Sequence, residues 1–202
     1  MVHLRLMGFF AAVVVVLAGG CGGDAVDPDV TGIVNAVVHD DPLEGSAKRS
    51  ALFTGTAAGN MQVSLRSTGG VWTDVGSPNG ITVNLQSSTE TAVHGATSVP
   101  AGTFDRVRLT FSDVEVTVKA GGVIGGITLQ SDAKAALAED FPVTVERSVS
   151  PFFVDEVGTA LIEFDLNVEK WLDLQTLDEG TIDGAAVNAS VDAEATFMPP
   201  GS

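Results

Sequence analysis

Few side chains of this sequence can do chemistry, and the densest group of them is acidic. Asp173, Asp178, Glu179 and Asp183 fall within one loop that also contains glycine. Carboxylate oxygens on a flexible loop are ligands that Ca²⁺ prefers, so these four residues are a candidate calcium site. Their spacing is not that of an EF-hand loop, which has acids at alternate positions, and a plain acidic loop is the alternative.

The histidines offer little to a metal site. His39 is followed by Asp40 and Asp41, but adjacent residues of an extended chain point to opposite faces, which favours a polar turn over a set of ligands. His94 lies in a segment rich in serine and threonine, where we expect it to face water. Because the chain has a single cysteine, zinc would need carboxylates as its other ligands. The sequence therefore predicts no zinc site.

Two tryptophans, Trp72 and Trp171, are candidate ligand-binding residues, because an exposed aromatic ring can pack against a sugar. Each adjoins apolar residues of a predicted strand, and a place in the core is the alternative. Exposure of either ring beside a groove would distinguish the two interpretations.

Motifs typical of catalysis are missing from the sequence. It contains no G-x-S-x-G elbow and no H-E-x-x-H helix motif. Residues 121–126 (GGVIGG) are followed by no Lys-Ser/Thr pair, which indicates a hairpin connection rather than a phosphate-binding loop. We therefore expect no catalytic residues and a protein that is not an enzyme. A hydrolase that uses only carboxylates, with two acids about 5 to 9 Å apart in a cleft, is the least favoured alternative.

The composition restricts the class of protein and of partner. The chain has 202 residues, of which 45% are hydrophobic, so it can bury one core and is not generally disordered. It has 10 Lys and Arg against 26 Asp and Glu, which gives a formal net charge of −16. So negative a protein repels nucleic acid, and no nucleic-acid partner is expected. A protein or a glycan partner remains open.

The N-terminal residues have the pattern of a processing signal. Residues 6–20 are apolar or small, and this run is shorter than the ~20 residues of a membrane span. It ends directly before Cys21, and small residues before a cysteine resemble the lipobox of bacterial lipoproteins. The resemblance implies removal of residues 1–20, acylation of Cys21 and attachment to a membrane of the bacterial cell envelope. Ordinary secretion and an uncut N-terminal anchor are the alternatives.

Residues 22–29 (GGDAVDPD) are small and acidic and are predicted to form a flexible tether after Cys21. By resemblance to the sorting rules of Gram-negative lipoproteins, Gly22 directly after the cysteine favours the outer membrane in a Gram-negative source. Apart from the candidate calcium, the covalent lipid is the only attached group that we expect.

The remainder of the chain has the pattern of strands. Residues 61–66, 81–86, 162–168 and 187–197 alternate apolar and polar side chains, which is typical of half-buried strands. Residues 133–139 (AKAALAE) are the best candidate for a short helix. Strands with turn-forming connections and without intervening helices predict a single all-β domain over residues 30–198. We expect an antiparallel two-sheet β-sandwich.

The alternation changes phase within residues 104–118. The apolar residues are at odd positions before Ser112 and at even positions after Asp113, so a regular strand would turn half of them into water. The residues concerned are Val107, Leu109 and Phe111, then Val114, Val116 and Val118. This predicts a β-bulge near Ser112 and Asp113, with a crossing from one sheet to the other as the alternative.

A second resemblance begins just before that strand. Residues 98–109 (SVPAGTFDRVRL) resemble the PAG-x-[YF]-x-x-[IV]-R-L core of an uncharacterised family of bacterial surface lipoproteins. Residues 157–166 and 187–197 lie where that family has its final strands, so the resemblance covers about residues 60–197. It implies an immunoglobulin- or transthyretin-like sandwich and brings no catalytic residues.

Together these observations lead us to expect a non-catalytic cell-envelope lipoprotein for adhesion, assembly or scaffolding. A glycan- or calcium-binding β-sandwich module is the alternative.

Overall fold

The computed structural model describes residues 27–40, 55–85, 90–138 and 142–199. The strands are β1 (Asp27–His39), β2 (Gly55–Ser67), β3 (Trp72–Asn84), β4 (Thr91–Val118), β5 (Val123–Ile124), β6 (Ile127–Thr128), β7 (Ala133–Leu137), β8 (Val143–Val154), β9 (Thr159–Asp165), β10 (Thr181–Ile182) and β11 (Asp192–Met198). The helical elements are a 3₁₀ turn (Val168–Lys170), α1 (Leu174–Glu179) and α2 (Gly184–Ser190). Cys21, the predicted signal of residues 1–20 and Asp41 lie outside the described residues.

The strand β4 is 28 residues long and belongs to two layers. Its first part, up to Ala101, pairs with β1, and this layer continues through β9 to β11. Its second part, from Gly102, pairs with β2 on one side and with β8 and β7 on the other, while β3 pairs with β2 and β10 with β7. The hairpin of β5 and β6 stands apart. The fold is therefore mostly β with two layers, as the sequence predicted.

Apolar side chains of both layers form one continuous core. Removing such side chains from water supplies the main driving force for folding, at about 1.5–3 kcal/mol for each large one. The largest fully buried residues include Met61, Leu65, Phe104, Leu109, Phe111 and Phe164. Within the described ranges, no helix has the length and apolarity needed to cross a membrane.

The predicted β-bulge is confirmed at Asp113. In the ladder between β2 and β4, Ala58 is opposite Glu115 and Asn60 is opposite Ser112, so Gly59 alone faces two residues of β4. Asp113 has a φ of 55°, and a Cβ at Gly59 would lie 2.7 Å from Cγ2 of Val114. The extra residue resets the alternation, and the apolar side chains on both sides of the bulge are buried.

Two expectations about secondary structure were wrong. Residues 133–137 form β7 rather than a helix, because Ala135 is buried and pairs with Val116 of β4, and this tertiary pairing overrides the helix propensity of alanine. Residues 187–190 belong to α2 rather than to the closing strand, which begins at Asp192. Asp183 caps α2, and Gly184, Val187 and Ser190 are its buried residues, at helical spacing.

The sheet is also mixed rather than antiparallel throughout. β1 pairs in parallel with β9, from Ile33 opposite Thr159 to His39 opposite Asp165, and β10 pairs in parallel with β7. Parallel partners need a long connection, and more than a hundred residues separate β1 from β9. β1 also begins at Asp27, three residues before the predicted domain boundary.

Candidate functional site

Trp171 is a core residue, which corrects its selection as a candidate ligand-binding residue. The side chain is 2% exposed, and its ring meets that of Phe111 edge to face, with centroids 6.1 Å apart. Its Nε1 donates a hydrogen bond of 2.6 Å to Oγ of Ser190, so the one polar atom of the buried indole is paired.

The four candidate calcium ligands have separate positions, and three of them have local partners. Asp173 caps α1 by accepting from the backbone N–H of Thr176 at 2.7 Å, and this hydrogen bond lowers the pKa of Asp173. Asp183 caps α2 in the same way, and Glu179 accepts from Gln175, while Asp178 is exposed. In the part of the chain that the structure describes, no three His, Cys, Asp or Glu side chains are placed to hold a metal ion.

His94 is buried rather than facing water, contrary to expectation. It lies in β4 opposite Ala36, and its Nδ1 is so near Gly76 of β3 that a Cβ there would lie 2.9 Å away. Its Nε2 has no hydrogen-bond partner in the described structure. Burial lowers the pKa of His94, because the imidazolium would lose its hydration.

Three arginines and a tryptophan lie together on the outer side of the layer formed by β3, β2, β4 and β8. They are Trp72, Arg66, Arg106 and Arg108, here called the basic face. Arg66 of β2 is directly opposite Trp72 on one side and Arg106 on the other. The apolar neighbours of these residues, such as Leu65 and Val107, are buried on the inner side, so strand alternation directs the charges outward. Three of the ten cationic side chains of the chain therefore share one surface.

The guanidinium groups of the basic face are only partly neutralised. Glu146 of β8 accepts from Nη1 of Arg106 at 2.8 Å and from Nη2 of Arg108 at 3.4 Å, and the Arg106 hydrogen bond is the main reason why the pKa of Glu146 is lowered. The Cζ atom of Arg108 lies 3.7 Å from the ring centroid of Trp72, a cation–π contact. Trp72 therefore holds Arg108 in place and has one ring face covered. The side chain of Arg66 forms no hydrogen bond or ion pair within the described ranges.

A polar groove of about 650 Å³ opens where β1, β8, β9 and β11 meet. We call it the acidic groove, because four of its lining residues are carboxylates. They are Glu163, Asp165, Asp192 and Glu194, and the others are His39, Arg147, Ser148 and Ala193. In the ladder between β9 and β11, Glu163 is directly opposite Glu194, and Asp165 is directly opposite Asp192. Two like-charge pairs therefore lie side by side on one surface.

Arg147 forms the wall of the acidic groove on the side of β8. Its Nε donates to the carbonyl of Val191 at 2.7 Å, Nη1 to that of Glu146 at 2.9 Å, and Nη2 to that of Asn188. These bonds tie β8 to α2 and to the start of β11. Arg147 thus fixes the wall of the groove by bonds to backbone carbonyls and does not neutralise the groove carboxylates. Glu163 and Glu194 form no ion pair within the described structure.

The two charged surfaces adjoin each other at Ser148. This residue lines the acidic groove, and it is also directly opposite Arg106 of the basic face. Sequence reasoning missed both surfaces, because each depends on which strands are neighbours and in what register. The sequence indicated these surfaces only through charged residues at the polar positions of the predicted strands.

Comparison of the chain with protein-family models, with curated proteins and with solved structures gave no match. The resemblance of residues 98–109 to a lipoprotein family therefore stays a prediction.

Proposed function

We propose that the protein is a non-catalytic lipoprotein of the bacterial cell envelope, whose β-sandwich domain serves adhesion, assembly or scaffolding. The basic face is the observation that carries this proposal. Arginine and tryptophan are enriched where proteins contact other macromolecules, and here they lie on a sheet surface rather than inside a deep pocket. Such a surface suits contact with a large partner.

The sequence supports the attachment to a membrane. The apolar run of residues 6–20 followed by Cys21 has the pattern of a lipoprotein signal, and two or more acyl chains would give stable anchoring. Gly22 favours the outer membrane in a Gram-negative source. An immunoglobulin- or transthyretin-like arrangement of the two layers is part of the same proposal.

Mass spectrometry of the protein purified from membranes tests the anchor. We expect an N-terminal Cys21 carrying the mass of acyl groups, and a protein that moves to the soluble fraction when Cys21→Ser is introduced. A mature N-terminus elsewhere with an unmodified thiol would contradict the proposal.

Cross-linking of intact cells tests the contact function. We expect the wild type to form cross-linked complexes of higher mass, and Arg66→Glu to lose them. Lys134→Glu is the matched control, because it makes the same change of charge at an exposed residue of β7 that is paired with Glu115. Equal complexes in all three proteins would count against contact through the basic face.

A second candidate function, a hydrolase that uses carboxylates alone, is favoured by the acidic groove. Directly opposed residues of an antiparallel ladder have Cβ atoms about 5 Å apart, so the carboxyl groups of Glu163 and Glu194 can reach the separation of about 5–5.5 Å that retaining glycosidases use. Release of reducing ends from a panel of polysaccharides tests this candidate. Activity that disappears in Glu163→Gln and Glu194→Gln, but not in Glu156→Gln of the turn after β8, would establish it. Without such activity the candidate fails.

A further inference from the structure

We infer that the basic face of one molecule binds the acidic groove of a second copy of this chain, and that a two-fold axis relates the two contacts. Because assembly is one arm of the proposed function, this dimer rests on that proposal and gives it a partner.

Like charges face each other on both surfaces. Arg66 is directly opposite Arg106, and in the other layer Glu163 is directly opposite Glu194. Like charges at directly opposed positions of a sheet destabilise it. Contact between the basic face and the acidic groove would place cations against carboxylates and so relieve the repulsion within each surface.

The groups needed for this contact are available in the single molecule. Glu146 holds Arg106 and Arg108, but Arg66 has no partner within the described structure. In the acidic groove, the side chains of Glu163 and Glu194 also have no partner within the described structure. A guanidinium is planar and can donate two parallel hydrogen bonds to a carboxylate, so these groups match in geometry as well as in charge.

The two surfaces adjoin at Ser148, and a two-fold dimer would use both of them at once. β2 and β8 both pair with β4, so Arg66 lies two strand spacings, about 10 Å, from the strand that forms the groove wall. Adjoining surfaces of opposite charge can be self-complementary. In the dimer that we infer, a rotation of one copy by 180° would bring each basic face to the groove of the other copy and give two identical contacts.

The net charge of the chain sets the salt dependence of such a dimer. Two copies of charge −16 repel each other at long range when the ionic strength is low. At about 0.15 M salt, charges farther apart than ~8 Å are screened while contact pairs persist, and at about 1 M the contact pairs weaken too. We therefore expect the association to be strongest at intermediate ionic strength.

Sedimentation velocity tests the inference by measuring the dissociation constant of the dimer. The sample is the purified full-length protein at several concentrations and at about 0.15 M salt. We expect a wild-type dimer, and a dissociation constant raised at least tenfold in Arg66→Glu and in Glu194→Lys. In an equal mixture of the two variants, with one labelled by a fluorophore, a heterodimer should form. One of its contacts is wild type on both sides, and the other joins Glu at position 66 to a groove carrying Lys at position 194.

Lys119→Glu is the control, because Lys119 is exposed and pairs with Asp132 away from both surfaces. It should leave the dissociation constant unchanged. A wild type that stays monomeric, a dimer insensitive to both reversals, or a mixture that does not associate would each overturn the inference. Binding of an acidic polysaccharide to a monomeric wild type, lost in Arg66→Glu, would instead assign the basic face to a polyanion.

The outcomes separate this inference from the proposed function. A dimer formed by a protein without acyl groups would overturn only the anchor, and an acylated protein that remains monomeric would overturn only the dimer.

Discussion

Arg66 of β2 and Arg106 of β4 are directly opposite each other in the ladder that joins these strands. Glu146 of β8, on the other edge of β4, forms an ion pair with Arg106. The side chain of Arg66 has no partner in the described structure. In the other layer, Glu163 and Glu194 face each other in the same way. These two like-charge pairs lower the free energy of unfolding. In return, each surface concentrates charge of one sign.

Reversal of one charge in either pair should stabilise the fold. Arg66→Glu turns a repulsive cross-strand pair into an attractive one, and Glu194→Lys does the same opposite Glu163. We expect each to raise the free energy of unfolding by about 0.2–1 kcal/mol. Urea unfolding at pH 7 measures the change. Lys134→Glu, which removes an exposed ion pair, should not stabilise. A loss of stability in both surface variants would contradict the repulsion.

Acid should destabilise the fold through His94. Burial lowers the pKa of this residue in the folded protein below its ordinary value of 6.5, so the unfolded chain binds the proton first as the pH falls. The contribution of neutral His94 to the free energy of unfolding is therefore complete above pH 6.5. It decreases below that pH until His94 of the folded protein is also protonated.

Urea unfolding between pH 7.5 and 5.0 tests this prediction against His94→Gln. One proton changes the free energy of unfolding by up to about 1.4 kcal/mol per pH unit, and the variant should lack this part of the slope. Equal slopes in the two proteins would exclude His94 as the source.

The hydrogen bond between Trp171 and Ser190 should stabilise the core. Ser190→Ala leaves the buried indole N–H without a partner, and we expect a loss of about 1–3 kcal/mol. In a Trp171→Phe background, the same substitution should lose less, because the donor is already absent. A double-mutant cycle of urea unfolding measures the difference. Additive losses would show that the bond does not contribute.

The bulge at Asp113 should tolerate glycine and reject a β-branched residue. The φ of 55° lies in the left-handed region, which strains most side chains and which glycine adopts freely. Asp113→Gly loses the hydrogen bond from Asn60 at 3.0 Å, so we expect its stability to lie within about 1 kcal/mol of the wild type. Asp113→Val should lose about 1–3 kcal/mol, as read by thermal unfolding. Equal stability of the two variants would contradict the assigned backbone conformation.

Local periodicity predicted what depends on local geometry. The change of parity between Phe111 and Val114 predicted a β-bulge near Ser112 and Asp113, with a crossing between sheets as the alternative, because side chains of a strand alternate with a period of two. The partners of a strand are not contained in its own sequence. The parallel pairing of β1 with β9 and the burial of His94 against Gly76 could therefore not be predicted.

The candidate site shows the same limit. Trp171 was chosen for its residue type, but its role depends on Phe111 and Ser190, which lie on other elements. Arg66, Arg106 and Glu194 look like ordinary solvated charges in the sequence. Their proximity to like charges follows only from the register of neighbouring strands.

The position of β1 between β4 and β9 has a mechanical consequence. β1 is the first described strand, and it is hydrogen-bonded along both edges, antiparallel to β4 and parallel to β9. Ladder hydrogen bonds run across the strands, so tension applied along β1 from its N-terminal end loads many of them in shear at once. A domain pulled from that end would resist extension better than one whose first strand could be peeled away bond by bond.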